Sequence, residues 1–307
     1  MEWLAKSADE YDTLFLGSSY VLSNIDVNVF DSQMAKNGCP TSSFSLSAGA
    51  IDPFDEFILL RMLRKAGRIH PKYVFVEFSH LGFAFIVKKA NVFSERMRYL
   101  HTPQNTLDAC FFDSGRGYSF KDLILYYGFR LKLCLANLTG SGHFAAILER
   151  VRVRTNSRDW KASKGYMPIT NGTTDKFFLE QGEKGFKAAL ERMKENDAKN
   201  ERILSASEEL FIRRMVKEIR LMGAQPFIVV APGTGKQHFR FEKMIFSGGP
   251  PTVPAFDFLE PDAYPEIYKF ENFNDPNHLY PSAAAIFSKI LADEFSGYLR
   301  KRTDGQG

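Results

Sequence analysis

Thr13-Leu-Phe-Leu-Gly-Ser-Ser19 is the stretch whose reading decides the fold. A strand with one solvated face alternates polar and apolar residues. The uninterrupted apolar run Thr13–Leu16 therefore predicts a strand buried on both faces. It runs straight into Gly17-Ser-Ser19, a tight turn at the strand's carboxyl end.

Downstream, after a polar stretch with Gly38, Ser43-Phe-Ser-Leu-Ser-Ala-Gly49 alternates and suits a second strand ending at a glycine. Asp52-Pro53 opens a helix, with Asp at the N-cap and Pro in the first turn, and Phe54, Ile58 and Met62 fall on one face. Pro71-Lys-Tyr-Val-Phe-Val-Glu-Phe78 reads as a third strand, rich in β-formers. Ser205-Ala-Ser-Glu208 makes a capping box before a helix carrying Leu210, Met215, Ile219 and Met222, closed by Gly223, and Pro226–Val230 follows as a buried strand. A last helix beginning near Pro281 carries Ala285, Ile286, Ile290, Leu291 and Phe295 ahead of a polar tail, Arg300–Gly307. Strands alternating with amphipathic helices predict an α/β fold, a doubly wound parallel sheet joined by right-handed crossovers. Between residues 84 and 200 the alternation lapses. This segment is expected to be a mostly helical insertion over the sheet's carboxyl edge, within a single domain spanning 1–307.

With 307 residues, 44% hydrophobic and 25% charged, the chain is long and apolar enough to bury a large core. Its net charge of +4, from 40 basic against 36 acidic residues, gives no reason to expect a nucleic-acid partner. Cys39, Cys110 and Cys134 are too widely spaced for a zinc site or redox motif and read as packed free thiols. Met1-Glu-Trp-Leu-Ala-Lys6 lacks a basic start followed by an apolar run, so a cytoplasmic chain is expected, or an extracytoplasmic one if an N-terminal anchor is missing. The apolar stretch Leu123–Leu138 is interrupted by Arg130 and Lys132 and falls short of the roughly 20 residues of a membrane span. It reads as a buried helix, with a surface-seeking amphipathic helix as the other reading.

In open parallel sheets, ligands bind outside the carboxyl ends of the strands, where Gly17-Ser-Ser19, Gly49, the end of the third strand and the loop after Val230 converge. A serine on a tight strand-to-helix turn is held exposed, with backbone N–H groups placed to receive an oxyanion. It needs a base, and the base needs a carboxylate. Of the six histidines, His278 has the best setting, in Asn272-Phe-Asn-Asp-Pro-Asn-His-Leu279 before the final helix, with Asp275 three residues earlier. Taken alone, that spacing favours a capping Asp275 and a packed loop histidine. Paired with Ser19 in the correct chain order, it favours a Ser19–His278–Asp275 triad.

Phe15-Leu-Gly-Ser-Ser19 followed by Tyr20-Val-Leu-Ser-Asn-Ile-Asp26 resembles the first block of the SGNH/GDSL hydrolase superfamily, and Asp275-Pro-Asn-His-Leu279 resembles its last. The likeness is to a Gly-Ser-Ser branch that includes membrane-anchored, cell-envelope proteins handling acyl groups on polymers. It covers about residues 11–82 and 225–295. The resemblance implies a flavodoxin-like three-layer α/β/α fold, Ser19 as nucleophile with Ser18 as the fallback, and backbone N–H groups of Ser19 and Gly49 as oxyanion donors. The family's third block, Gly-x-Asn-Asp, is replaced here by Glu77-Phe-Ser-His-Leu-Gly82. Ser79 or His80 then stands where a third donor would come from, and losing such a donor costs about a hundredfold in rate or more.

The resemblance thus implies a serine esterase or O-acyltransferase for short acyl esters, among them carbohydrate esters, working through an acyl-enzyme without metal or organic cofactor. The alternative is a catalytically weak binding or assembly protein on the same fold in a cell-envelope polymer pathway.

Ala231-Pro-Gly-Thr-Gly-Lys236 invites a phosphate-loop reading, but Val230 stands where the first glycine belongs and Gln237 where Ser or Thr belongs. It reads instead as an active-site loop, whose Lys236, His238 and Arg240 either contact an anionic substrate group or are solvated. The basic run Arg150, Arg152, Arg154, Arg158, Lys161 and Lys164 reads first as a solvated face. Its sharper reading is contact with a membrane surface or an acidic polysaccharide.

Overall fold

The computed structural model describes residues 10–47, 51, 53–67, 70–78, 102–113, 120–139, 160–170, 176–199, 202–204, 206–235, 241, 244–249 and 252–304. The first part of the chain forms β1 (Thr13–Leu16), α1 (Ser19–Asn24), α2 (Val27–Lys36), β2 (Ser43–Ser45), α3 (Pro53–Ala66) and β3 (Tyr73–Glu77). The described parts of 84–200 are helical: α4 (Pro103–Asp113), α5 (Phe120–Leu138), α6 (Trp160–Ser163) and α7 (Lys176–Lys199), the last broken at Gly182. Then come β4 (Arg202–Ile203), α8 (Ala206–Leu221), β5 (Gln225–Val230), β6 (Met244–Ile245), β7 (Ala255–Asp257), β8 (Phe273–Asp275), β9 (His278–Leu279) and α9 (Pro281–Asp304).

The central sheet is wholly parallel, in the order β2-β1-β3-β5-β7. Because side chains alternate across a strand, register decides which residues share a face. Phe15 pairs with Phe75 and Phe75 with Phe227, so their rings form a row, with centroids 4.7 and 5.1 Å apart. Phe295 of α9 sits 5.0 Å from both Phe75 and Phe227, and Phe30 of α2 lies 5.1 Å from Phe15. Leu14, Leu16 and Val74 point the other way, against Phe54, Ile58 and Leu60 of α3 and Phe211, Met215 and Ile219 of α8. Each fully buried Phe or Leu contributes about 1.5–3 kcal/mol of burial free energy.

Several local expectations change. The stretch between β1 and Gly38 is not a polar connection but α1 and α2: the Asp26 side chain accepts from the N–H groups of Asn28 and Val29, and Val27, Phe30 and Met34 face the core. The second strand stops at Ser45 rather than running to Gly49, because the Ser45 N–H turns to Lys164 O at 2.9 Å. A Cβ on Gly165 would stand 2.1 Å from Ser45 O, so this close approach requires glycine. Lys164 belongs to this brace, its Nζ 2.6 Å from Asp31, and is no solvated cation. On α8, Leu210 is exposed (45%) because the buried stripe runs one residue later, through Phe211, Met215 and Ile219. The sheet has a fifth strand, β7, beyond those the alternation predicts, and Arg300–Asp304 extends α9 instead of forming a tail.

The Leu123–Leu138 stretch is buried on one side only. Leu133 and Cys134 are buried and Arg130 is fully buried over the Phe54 ring, while Ile124, Leu131, Leu135 and Leu138 are exposed. Those four lie 7, 4 and 3 residues apart, one face of a helix. No helix among the described residues is long and apolar enough to cross a membrane. Asp52 and Ser205, expected as helix caps, lie outside the described residues, as do Arg150, Arg152, Arg154 and Arg158.

Candidate active site

The order of strands reverses between β1 and β3, whose carboxyl ends leave a crevice between diverging connections. Ser18 and Ser19 leave β1 at that point. Ser18 is the N-cap of α1, its Oγ accepting from Tyr20 N–H at 3.3 Å. Ser19 is the first helical residue, so its N–H has no acceptor within the helix. Its carbonyl is held by Ser23 Oγ, which donates at 2.7 Å.

The opposite half comes from the β8–β9 hairpin, 253 or more residues along the chain. Asp275 Oδ1 accepts from the N–H groups of Asn277 (2.8 Å) and His278 (3.0 Å), closing the turn. The same carboxylate reaches His278 Nδ1 at 2.7 Å from Oδ2 and 2.9 Å from Oδ1. A carboxylate only accepts, so Nδ1 carries the proton and Nε2 is left as acceptor. Ser19 Oγ stands 2.8 Å from Nε2 and donates to it. One side chain thus both closes the hairpin turn and holds the imidazole, and it does not cap the last helix, as the other reading had it.

Asn24 joins the halves. Fully buried at the end of α1, it donates from Nδ2 to Asn277 O (3.0 Å) and accepts at Oδ1 from Leu279 N–H (2.9 Å). The loop after β5 braces the hairpin from the far side: Thr234 N–H donates to Pro276 O at 2.6 Å and Gly233 N–H reaches Tyr268 Oη at 3.4 Å. Those amides are committed, so this part of the loop has none to offer a phosphate. Phe186 of α7 packs on Phe273, with centroids 5.3 Å apart, and Tyr20 lies 5.3 Å from the His278 ring. Burial, and then the charges of Glu77 and Asp275, push the Tyr20 phenol well above its usual range and keep it neutral.

Glu77 is the site residue that sequence reasoning missed. Alternation along β3 puts it on the same face as Phe75, and it meets Ser18: Ser18 N–H donates at 2.6 Å and Ser18 Oγ lies 3.0 and 2.9 Å from its two oxygens. Burial pushes its carboxyl up to about 7, while bonds from Ser18, the nearby His278 and the Val21 N–H pull the other way. A carboxylate on the core face of a predicted strand was the available signal. Ser18, expected as the fallback nucleophile, is engaged with Glu77, whereas Ser19 takes the bond to His278.

Gly49, Ser79 and His80, expected as oxyanion donors, and Lys236, His238 and Arg240, expected at the substrate, lie outside the described residues. Among the described residues no group of His, Cys, Asp and Glu side chains is arranged to hold a metal ion. No protein-family model matches the chain, and no curated protein matches it.

Proposed function

We propose that this protein is a serine esterase or O-acyltransferase of the SGNH type, acting on short acyl esters, carbohydrate esters among them. The observation that carries the proposal is the unbroken chain Ser19 Oγ–His278 Nε2 (2.8 Å) and His278 Nδ1–Asp275 Oδ2 (2.7 Å) at the carboxyl rim of a parallel sheet. The strand order, the helices on both faces and the site's place where that order reverses support the flavodoxin-like three-layer reading.

Ser19 Oγ attacks the ester carbonyl carbon as its proton passes to His278 Nε2, giving a tetrahedral oxyanion. The oxyanion's lone pair re-forms the carbonyl as the C–O bond to the alcohol breaks, and the alcohol leaves with the proton from Nε2, so the acyl group stays on Ser19. Water, or an acceptor hydroxyl, then loses a proton to Nε2 and attacks the acyl carbon; as this second intermediate collapses, the acyl–Oγ bond breaks and Ser19 Oγ takes the proton back from Nε2. Asp275 holds the tautomer and faces the imidazolium formed in each half-reaction. The Ser19 N–H is placed to serve the oxyanion, with Gly49 as the partner donor that the resemblance implies. Residues 84–200 and the run Arg150–Lys161 would then supply acyl and polymer or membrane-surface contacts.

Fluorophosphonate labels only an activated serine. Wild type is expected to label, Ser19→Ala and His278→Ala to lose labelling, and Ser18→Ala to retain it at a reduced rate. A folded wild type that stays unlabelled overturns the proposal. It would favour the second reading, a binding or assembly protein on this fold, which the loss of Gly-x-Asn-Asp at Glu77–Gly82 favours.

A further inference from the structure

Glu77 is a carboxylate that the triad chemistry does not use, yet it is one residue removed from the nucleophile. It is only 7% exposed, at the carboxyl end of β3. Both its oxygens are turned to Ser18, which gives the backbone N–H at 2.6 Å and the hydroxyl at 2.9 and 3.0 Å. Space for it exists because Gly17 has no side chain: a Cβ there would stand 2.6 Å from Glu77 Oε2 and 2.8 Å from Glu77 Cβ. Glu77 follows Phe75 on the same face of β3, and Gly17 directly follows the Leu16↔Val76 pair that ends the register of β1 with β3. Among the described residues the titratable groups facing Glu77 are His278 and Tyr20, with Asp275 beyond them. The α8 residues nearest β3's end, Phe211, Ile212 and Met215, are apolar.

We infer that Glu77 is a positioning residue of the Ser19 site: its carboxylate pins the Gly17–Ser18 turn so that Ser19 Oγ stays at His278 Nε2, and its negative charge steadies the imidazolium formed when His278 takes the Ser19 proton. The inference rests on the esterase reading above. Two bonds to the residue before the nucleophile set the direction in which the chain leaves β1, and with it the Ser19 side chain. The ionised carboxylate accepts them as charge-assisted bonds, the stronger kind. Once protonated it has a hydrogen of its own to place and has lost the charge that faces His278. Burial pushes the carboxyl up to about 7, so both forms are populated at neutral pH and the clamp tightens as pH rises.

The test is the rate of fluorophosphonate labelling from pH 5 to 9 for wild type, Ser19→Ala, Glu77→Gln and Ser18→Ala, each checked for folding by circular dichroism. Glu77→Gln keeps the shape but not the charge. It is expected to label about ten- to a hundredfold more slowly at pH 8, the range a displaced catalytic group produces. Its labelling profile should also lose the part of the acid limb that the Glu77 carboxyl, pushed up to about 7, contributes. Ser18→Ala removes a donor that lowers the Glu77 carboxyl, so its acid limb should move to higher pH.

Glu77→Gln labelling at the wild-type rate with an unchanged profile overturns this inference and leaves the esterase reading standing. A folded wild type that does not label overturns both. Should Glu77→Gln fail to fold, Ser18→Ala decides: an unshifted acid limb sinks the inference.

Discussion

The two faces of the sheet are filled with different chemistry, and only one of them carries the site. One face is aromatic: Phe15, Phe75, Phe227 and Phe256 from the strands against Phe30 of α2 and Phe287 and Phe295 of α9. The other is built from Leu14, Leu16 and Val74 against α3 and α8. Val21 of α1 and Ile25 just after it, Phe273 and Leu279 of the histidine hairpin, and Ala283 and Ala284 of α9 all belong to the aromatic cluster. Ser19 and His278, 259 residues apart, are therefore anchored in one packed block. Flat rings stacked in register leave few alternative packings, which suits a site that needs its groups held within a fraction of an ångström.

The contrast can be broken most sharply at the rim. Ser19→Ala and His278→Ala are each expected to lower fluorophosphonate labelling by about a thousandfold or more, with little change in thermal midpoint. Within the faces, Phe295→Ala opens the aromatic block and is expected to cost about 3–5 kcal/mol in denaturant unfolding and to slow labelling of the folded protein. Leu60→Ala on the opposite face costs about 2–5 kcal/mol too, but should leave the labelling rate of folded molecules unchanged. Equal labelling losses in both variants would mean that the site is not anchored preferentially to the aromatic face.

Glu77 gives a pH-dependent version of the same test. Its folded carboxyl lies at about 7 against an ordinary 4.5, so between those values the folded state keeps a proton that the unfolded state has released. Stability then falls as pH rises through that window. Relative to Glu77→Gln, wild type is expected to lose about 3 kcal/mol between pH 4 and pH 8, read from urea midpoints. Asn24→Ala strands the Leu279 N–H and the Asn277 carbonyl it pairs. A loss of about 1–3 kcal/mol, accompanied by slower labelling, is expected. The smallest effect belongs to the exposed stripe on α5, where Leu131→Gln and Leu135→Gln should change stability by no more than about 0.5 kcal/mol.

Elements with a strong local signal were legible in advance. β1, β3 and β5 declare themselves as apolar runs, α3 and α8 by helical periodicity, and α9 by a long stripe after Pro281. β7 did not, because three residues are too few for any period to show. α1 and α2 were hidden in a stretch that looks polar overall. Their apolar residues, Val27, Phe30 and Met34, are spaced for a helix, and Asp26 was the unread cap. The triad's residue types and chain order were readable. The resemblance put Ser19 ahead of Ser18, and Ser19 is the serine bonded to His278; the Glu77 contact of Ser18 had no such signal.

The sequence by itself determined the parallel alternation, the tight Gly17-Ser-Ser19 turn and the Asp275-x-x-His278 loop, because each depends on residues close together in the chain. The tertiary structure alone decided how closely Ser19 meets the histidine, that Asn24 ties the two halves, and that Glu77 closes on Ser18. Those contacts join segments tens to hundreds of residues apart, and their geometry follows from strand register and from the packing of α9 on the aromatic face, which no local pattern encodes.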